Sequence, residues 1–77
     1  MRKKIDKSIT PVWNKAKQLI AEGKLEEADD ALMTIIWRVA DYTMNGHNDD
    51  YKIEGVKKGV WYERAWTAIE VNGLLPA

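Results

Sequence analysis

The sequence predicts an all-α fold: a small three- to four-helix bundle built on an antiparallel helical hairpin, its last helix kinked or broken near Gly55–Gly59. Three observations predict it. From Glu26 to Met44, apolar side chains cover roughly two thirds of a helical wheel drawn at about 100° per residue, so this stretch needs cover on two sides. Before it, Pro11 to Glu22 is cleanly amphipathic. Between them stand only Gly23 and a short restart, a link that forces the two helices to be antiparallel neighbours.

The elements follow in order. Met1 to Ile9 reads as a loose basic arm, in which Ile5 and Ile9 lie four residues apart and can dock one helical turn on the core. Thr10-Pro11 is a helix start, with Thr10 as N-cap and Pro11 at the first helical position. Val12, Trp13, Ala16, Leu19 and Ile20 share one face of the first helix, and Gly23 closes it. Glu26 and Glu27 fall in the first turn of the second helix, where the helix dipole favours negative charge. That helix closes at Asn45-Gly46, followed by the polar loop His47 to Asp50. Beyond Tyr51 the apolar stripe changes face: Ile53, Val56 and Val60 mark one side, while Trp61, Tyr62, Ala65, Trp66, Ala68 and Ile69 mark another. Two glycines four residues apart favour a kink or break there, with a separate helix from about Val60 to Asn72. A β-hairpin across Tyr51 to Tyr62 is the alternative, since its ends alternate. Asn72-Gly73 ends the last helix, and Leu74, Leu75 and Pro76 form an apolar tail.

Size and composition bound the function. A chain of 77 residues makes one domain, and domains of this size bury only about 60% of their unfolded surface and are often helped by oligomerisation. With no cysteine, disulfides and thiolate-bound zinc are excluded, and a reducing cytoplasm is the expected compartment. No apolar run approaches a membrane span, and no signal-peptide core is present, so no membrane association is expected. Net charge is zero, which argues against a general nucleic-acid binder, yet the charges are segregated. Met1 to Lys24 holds seven basic and two acidic residues, whereas Leu25 to Glu54 holds eight acidic and two basic ones. Opposed halves of this kind steer association with a partner or neutralise each other within the fold.

The segment AEGKLEEADDAL, with Gly23, Leu25 and Ala28 at its small and apolar positions and Ala16 in the helix before it, resembles the turn and second-helix start of a tetratricopeptide (TPR) repeat. The resemblance covers about thirty residues and implies a close-packed helical hairpin, with some bearing on peptide binding. Val12, Lys15, Ile35 and Ala40 depart from the family pattern, and the chain holds no second copy of it, whereas peptide grooves in this family need several repeats.

Chemistry-bearing patterns are few. Asp41, Thr43, Asn45, Gly46 and Asp49 resemble an EF-hand loop, but Lys52 stands where the closing bidentate Glu belongs, and a cation there opposes calcium. His47 has no nucleophile placed beside it by sequence and reads as an exposed loop residue. Glu26, Glu27, Asp29 and Asp30 are explained by their place at a helix start. No phosphate-binding, dinucleotide or metalloprotease motif occurs, so no catalytic, cofactor or metal residues are assigned and no enzyme activity is expected.

The aromatics are the main functional signal: four Trp and three Tyr without a Phe. Such side chains suit half-wet positions and dominate interface hot spots. Trp13 and at least one of the last-helix pair are expected in the core, and not every aromatic fits there. The interface candidates are Trp37, Met33, Met44, Trp61, Tyr62, Trp66 and Arg38. The expected function is that of a small protein–protein interaction module, regulator or inhibitor, self-associating as a homodimer. The alternative is a nucleic-acid-binding regulator of helix-turn-helix type, using Arg2, Lys3, Lys4, Lys7, Lys57 and Lys58 against phosphates.

Overall fold

A computed structural model describes residues 8–74. The molecule is mostly helical, with α1 (Thr10–Ala21), α2 (Leu25–Met44), a two-stranded ribbon of β1 (Lys52–Ile53) and β2 (Val56–Lys57), and α3 (Lys58–Val71). α1 and α3 each make their main helix–helix packing against α2, so α2 is the central element. The core joins Ile9 and Ala16 to Leu32, Ile35 and Val39 of α2, and to Ile53, Trp61, Ala65 and Ile69.

The three described helices end alike, and the endings are local. After α1, Lys24 N–H donates to Leu19 O (2.9 Å) and Gly23 N–H to Ile20 O (3.0 Å), with Gly23 at φ +77°. Gly46 and His47 repeat the pair of bonds after α2, as do Gly73 and Leu74 after α3. These are Schellman closures, which require a left-handed residue that glycine supplies without strain. Asn45 and Asn72 add side-chain donation to the carbonyls of Asp41 and Ala68.

The start of α1 differs from the sequence expectation. Thr10 is the first helical residue, not the N-cap, and Ile9 before it has no side-chain cap of its own. The cap comes from 45 residues away: Glu54 Oε2 accepts the Ile9 N–H at 2.7 Å and Oε1 accepts the Thr10 N–H at 2.8 Å. Ile9 itself is fully buried and belongs to the core rather than to a loose arm. The remainder of the basic arm, with Ile5, lies outside the described residues, as do Leu75 and Pro76.

The last helix is not kinked at Gly55–Gly59: a short element, a β-hairpin, precedes a separate helix, which begins at Lys58 rather than Val60. Lys52 pairs with Lys57 and Ile53 with Val56, antiparallel, around the two-residue turn Glu54-Gly55. Both turn residues have positive φ, 54° and 81°, as in the type I′ turns that match strand twist. The change of apolar face at this point is thus the passage from strand period to helix period. Ile53 is buried under α3, and the buried Trp61 indole N–H donates to its carbonyl at 2.9 Å. Gly59 is an ordinary first-turn residue of α3, and a Cβ there would lie 3.3 Å from that of Asp49, so glycine lets the preceding loop approach closely.

Candidate functional site

The outer face of α2 follows from the inner one. Ala28, Leu32, Ile35 and Val39 are buried, and the residues about half a turn away from them on the wheel face outward. In the first turns this outer face is acidic, with Glu26 and Asp30 exposed. From Met33 onward one side of it is apolar, with Met33, Trp37, Ala40 and Met44 recurring at spacings of four, three and four residues, while Thr34, Arg38 and Asp41 run beside them as a polar strip. Met33 and Ala40 are half-buried, whereas Trp37 is 68% and Met44 85% exposed. Exposure of this extent for two large apolar side chains on one helical stripe is the clearest surface anomaly of the described residues. Arg38, on the flank of the stripe, donates from Nη1 to the Ser8 carbonyl and ties the chain before α1 to α2.

A polar cluster forms where the end of α2, the loop and the start of α3 converge. Lys58 is 2% exposed, on the same face of α3 as Trp61, Ala65 and Ile69. Its ammonium donates to Thr43 Oγ1 at 2.6 Å and to Asp49 Oδ1 at 3.0 Å. It also lies 5.3 Å from the centroid of the Tyr62 ring, within cation–π range. Backbone bonds from Lys58 N–H to Tyr51 O (2.8 Å) and from Gly59 N–H to Asp49 O (3.1 Å) hold the loop against α3. Alongside, His47 stacks on Tyr51 at 3.8 Å, with Tyr42 tilted 5.7 Å from Tyr51. His47 is therefore half-buried in an aromatic group rather than a lone exposed loop residue. The polar atoms of this cluster are directed at one another, the arrangement of a lock that fixes the loop.

The sequence candidates separate on this geometry. Trp37, Met33 and Met44 lie on the α2 stripe. Trp66 is 41% exposed on α3. Tyr62 is half-buried beneath Lys58, its hydroxyl 3.4 Å from Thr43 Oγ1. Trp61 is a core residue, 1% exposed, and presents nothing to a partner in this fold. Trp13 is half-buried, with Lys17 Nζ 5.7 Å from its ring centroid. Trp13 also borders an open groove of about 490 Å³ lined from α3 by Val60, Arg64, Thr67, Ala68 and Val71, none of them on the α2 stripe.

Some roles were not found from sequence. Lys58, a phosphate-contact candidate with Lys57 by sequence, is buried and bonded to Asp49, and Lys57 Nζ lies 3.7 Å from Asp50. The available signal was the spacing of Lys58 from Trp61, Ala65 and Ile69, which continues the core stripe backward by one turn. No local signal announces Glu54 as the cap of α1. Thr43 and Asp49, weighed as cation ligands, instead receive the Lys58 ammonium. Among the described residues, no three His, Asp or Glu side chains converge as a metal site, and no helix is long and apolar enough to cross a membrane. Comparison with known proteins finds no matching family model, curated protein or solved structure.

Proposed function

We propose that this chain is a protein–protein interaction module whose working surface is the apolar stripe Met33, Trp37, Ala40 and Met44 on the outer face of α2. The observation that carries the reading is the exposure of Trp37 and Met44, at 68% and 85%, on one side of the central helix. An indole held out on a rigid, well-anchored helix loses little conformational freedom on binding, which is why tryptophan concentrates in hot spots. Trp66, also partly exposed, adds an aromatic on α3 to the same class of surface. In this reading the helical hairpin is scaffold, and the Lys58 lock and Glu54 cap hold the elements flanking α2 in place. No catalytic residue or cofactor enters the mechanism, which is binding alone.

The test uses the purified chain immobilised as bait in host lysate, beside the Trp37→Ala and Trp66→Ala variants. A specific protein retained by the wild type and lost with Trp37→Ala is the expected result. Equal retention by all three would remove the α2 stripe as the working surface.

A further inference from the structure

We infer that the α2 stripe is a self-complementary surface whose occupant is a second copy of this chain, bound antiparallel about a two-fold axis between Trp37 and Ala40. This rests on the reading of the stripe as an interaction surface and names its partner. The stripe reads the same in both directions, because its spacings of four, three and four residues are palindromic. Its chemistry is complementary to its own reverse: Met33 and Met44 occupy the ends, and the large Trp37 and small Ala40 between them exchange places when the order is reversed. Turning one copy end for end therefore sets Met33 against Met44 of the other. It sets each Trp37 indole over the other copy's Ala40, where a single methyl group leaves room for it. A two-fold interface demands this reciprocity, in which residue i meets j and j meets i. Alternating four- and three-residue spacing is also the seam along which two helices pack side chains into each other's gaps.

Charge selects the direction. Glu26, Glu27, Asp29 and Asp30 all lie in the first turns of α2, with no basic residue until Arg38. Parallel pairing would bring the acidic turns of two copies together, where like charges repel. Antiparallel pairing carries them to opposite ends of the dimer. Among the described residues, the buried contacts of α2 run through Leu32, Ile35 and Val39, with Met33 also packed against the core, and Trp37 and Met44 stay exposed.

Size sets the strength. The stripe from Met33 to Met44 spans about 16 Å of helix. A single helix pair of that length falls below the roughly 1,200 Å² of total buried surface found in stable complexes, so the dimer belongs to the weak, reversible class, with Kd on the order of micromolar or above. Self-association therefore appears as a concentration-dependent equilibrium rather than an obligate dimer.

Because the chain has no cysteine, a single introduced thiol reports unambiguously on register. In the antiparallel pair, positions 33 and 44′ are adjacent, whereas 33 and 33′ stand about 16 Å apart, beyond the reach of a disulfide. Met33→Cys and Met44→Cys chains are oxidised separately and as a mixture, with sedimentation of the wild type across a concentration series alongside. The expected result is a covalent dimer from the mixture, little from either variant alone, and a wild-type dimer that Trp37→Ala weakens at least about tenfold without lowering the melting temperature of the dilute chain. Preferential 33–33′ and 44–44′ linkage would overturn the antiparallel arrangement while leaving self-association through α2 intact. A wild-type chain that stays monomeric to millimolar concentration, with no linkage in any mixture, would overturn the second copy as occupant. The broader interaction reading then stands or falls separately, on whether Trp37→Ala loses a partner from lysate.

Discussion

Glu54 carries two requirements that pull toward different residues. Its backbone sits at φ 54° in the first central position of the hairpin turn, where Asn, Asp or Gly is preferred, while its carboxylate receives two amides at the start of α1. Only a side chain of this length and charge has been placed to meet both amides, so its replacement is expected to cost more than turn propensity returns. Glu54→Ala should lower stability by about 1–2 kcal/mol, as losses of helix caps do. Glu54→Asn should also be destabilising despite suiting the turn better. Urea denaturation of the three chains checks both. At Lys58 the asymmetry between charge partners is the test. Removing Asp49 leaves a buried ammonium with a weaker set of acceptors, whereas Lys58→Met removes the charge and keeps most of the packed stem. Asp49 is 78% exposed at its side chain, so water softens the loss. Asp49→Ala is expected to cost about 1 kcal/mol, and Lys58→Met less than that, read from the same denaturation curves.

At the scale of elements, beginnings and endings of helices differ in how far their causes lie along the chain. Gly23, Gly46 and Gly73 each follow a helix and close it through bonds spanning only a few residues, so a sequence window contains the whole cause. The α1 start is completed by a residue on another element, and no window around Thr10-Pro11 contains it. The hairpin falls between these cases. The alternation at its ends was visible, but a two-residue ladder has little intrinsic stability and forms here because Ile53 is buried and its carbonyl meets the Trp61 indole. Gly55, at φ 81°, faces open space, so the strain of a left-handed alanine is the main effect of Gly55→Ala. That substitution is expected to cost about 1–2 kcal/mol in thermal or urea melts and to shift α1 amides toward faster exchange through the displaced Glu54.

For the whole molecule, two tryptophans of equal size should behave oppositely. Trp61 is 1% exposed, packs in the core and hydrogen-bonds the hairpin, so Trp61→Ala is expected to cost about 3–5 kcal/mol. Against roughly 4–12 kcal/mol of total stability for a chain of this length, that loss consumes much of the fold. Trp37, 68% exposed, should change the stability of the dilute chain by no more than about 0.5 kcal/mol when replaced by alanine. Circular-dichroism melts at low concentration separate the two. Periodicity makes both interface candidates, Trp37 from the edge of its helix's apolar arc and Trp61 from projecting differently from Trp66, and only the hairpin's position shows that the Trp61 indole has a buried carbonyl to satisfy.

What the sequence alone determined is the helical hairpin, the turns that close its helices and the demand of α2 for cover on more than one side. All of these arise from side-chain period and local backbone preference, which act within a few residues. Tertiary structure decided the rest. It alone brought Glu54 to α1, buried Lys58 between Thr43 and Asp49, set Trp61 inside and left Trp37 outside. The physical reason is that caps, ion pairs and burial depend on which distant elements meet, and a helix face is apolar in the same way whether its cover comes from within the chain or from another molecule.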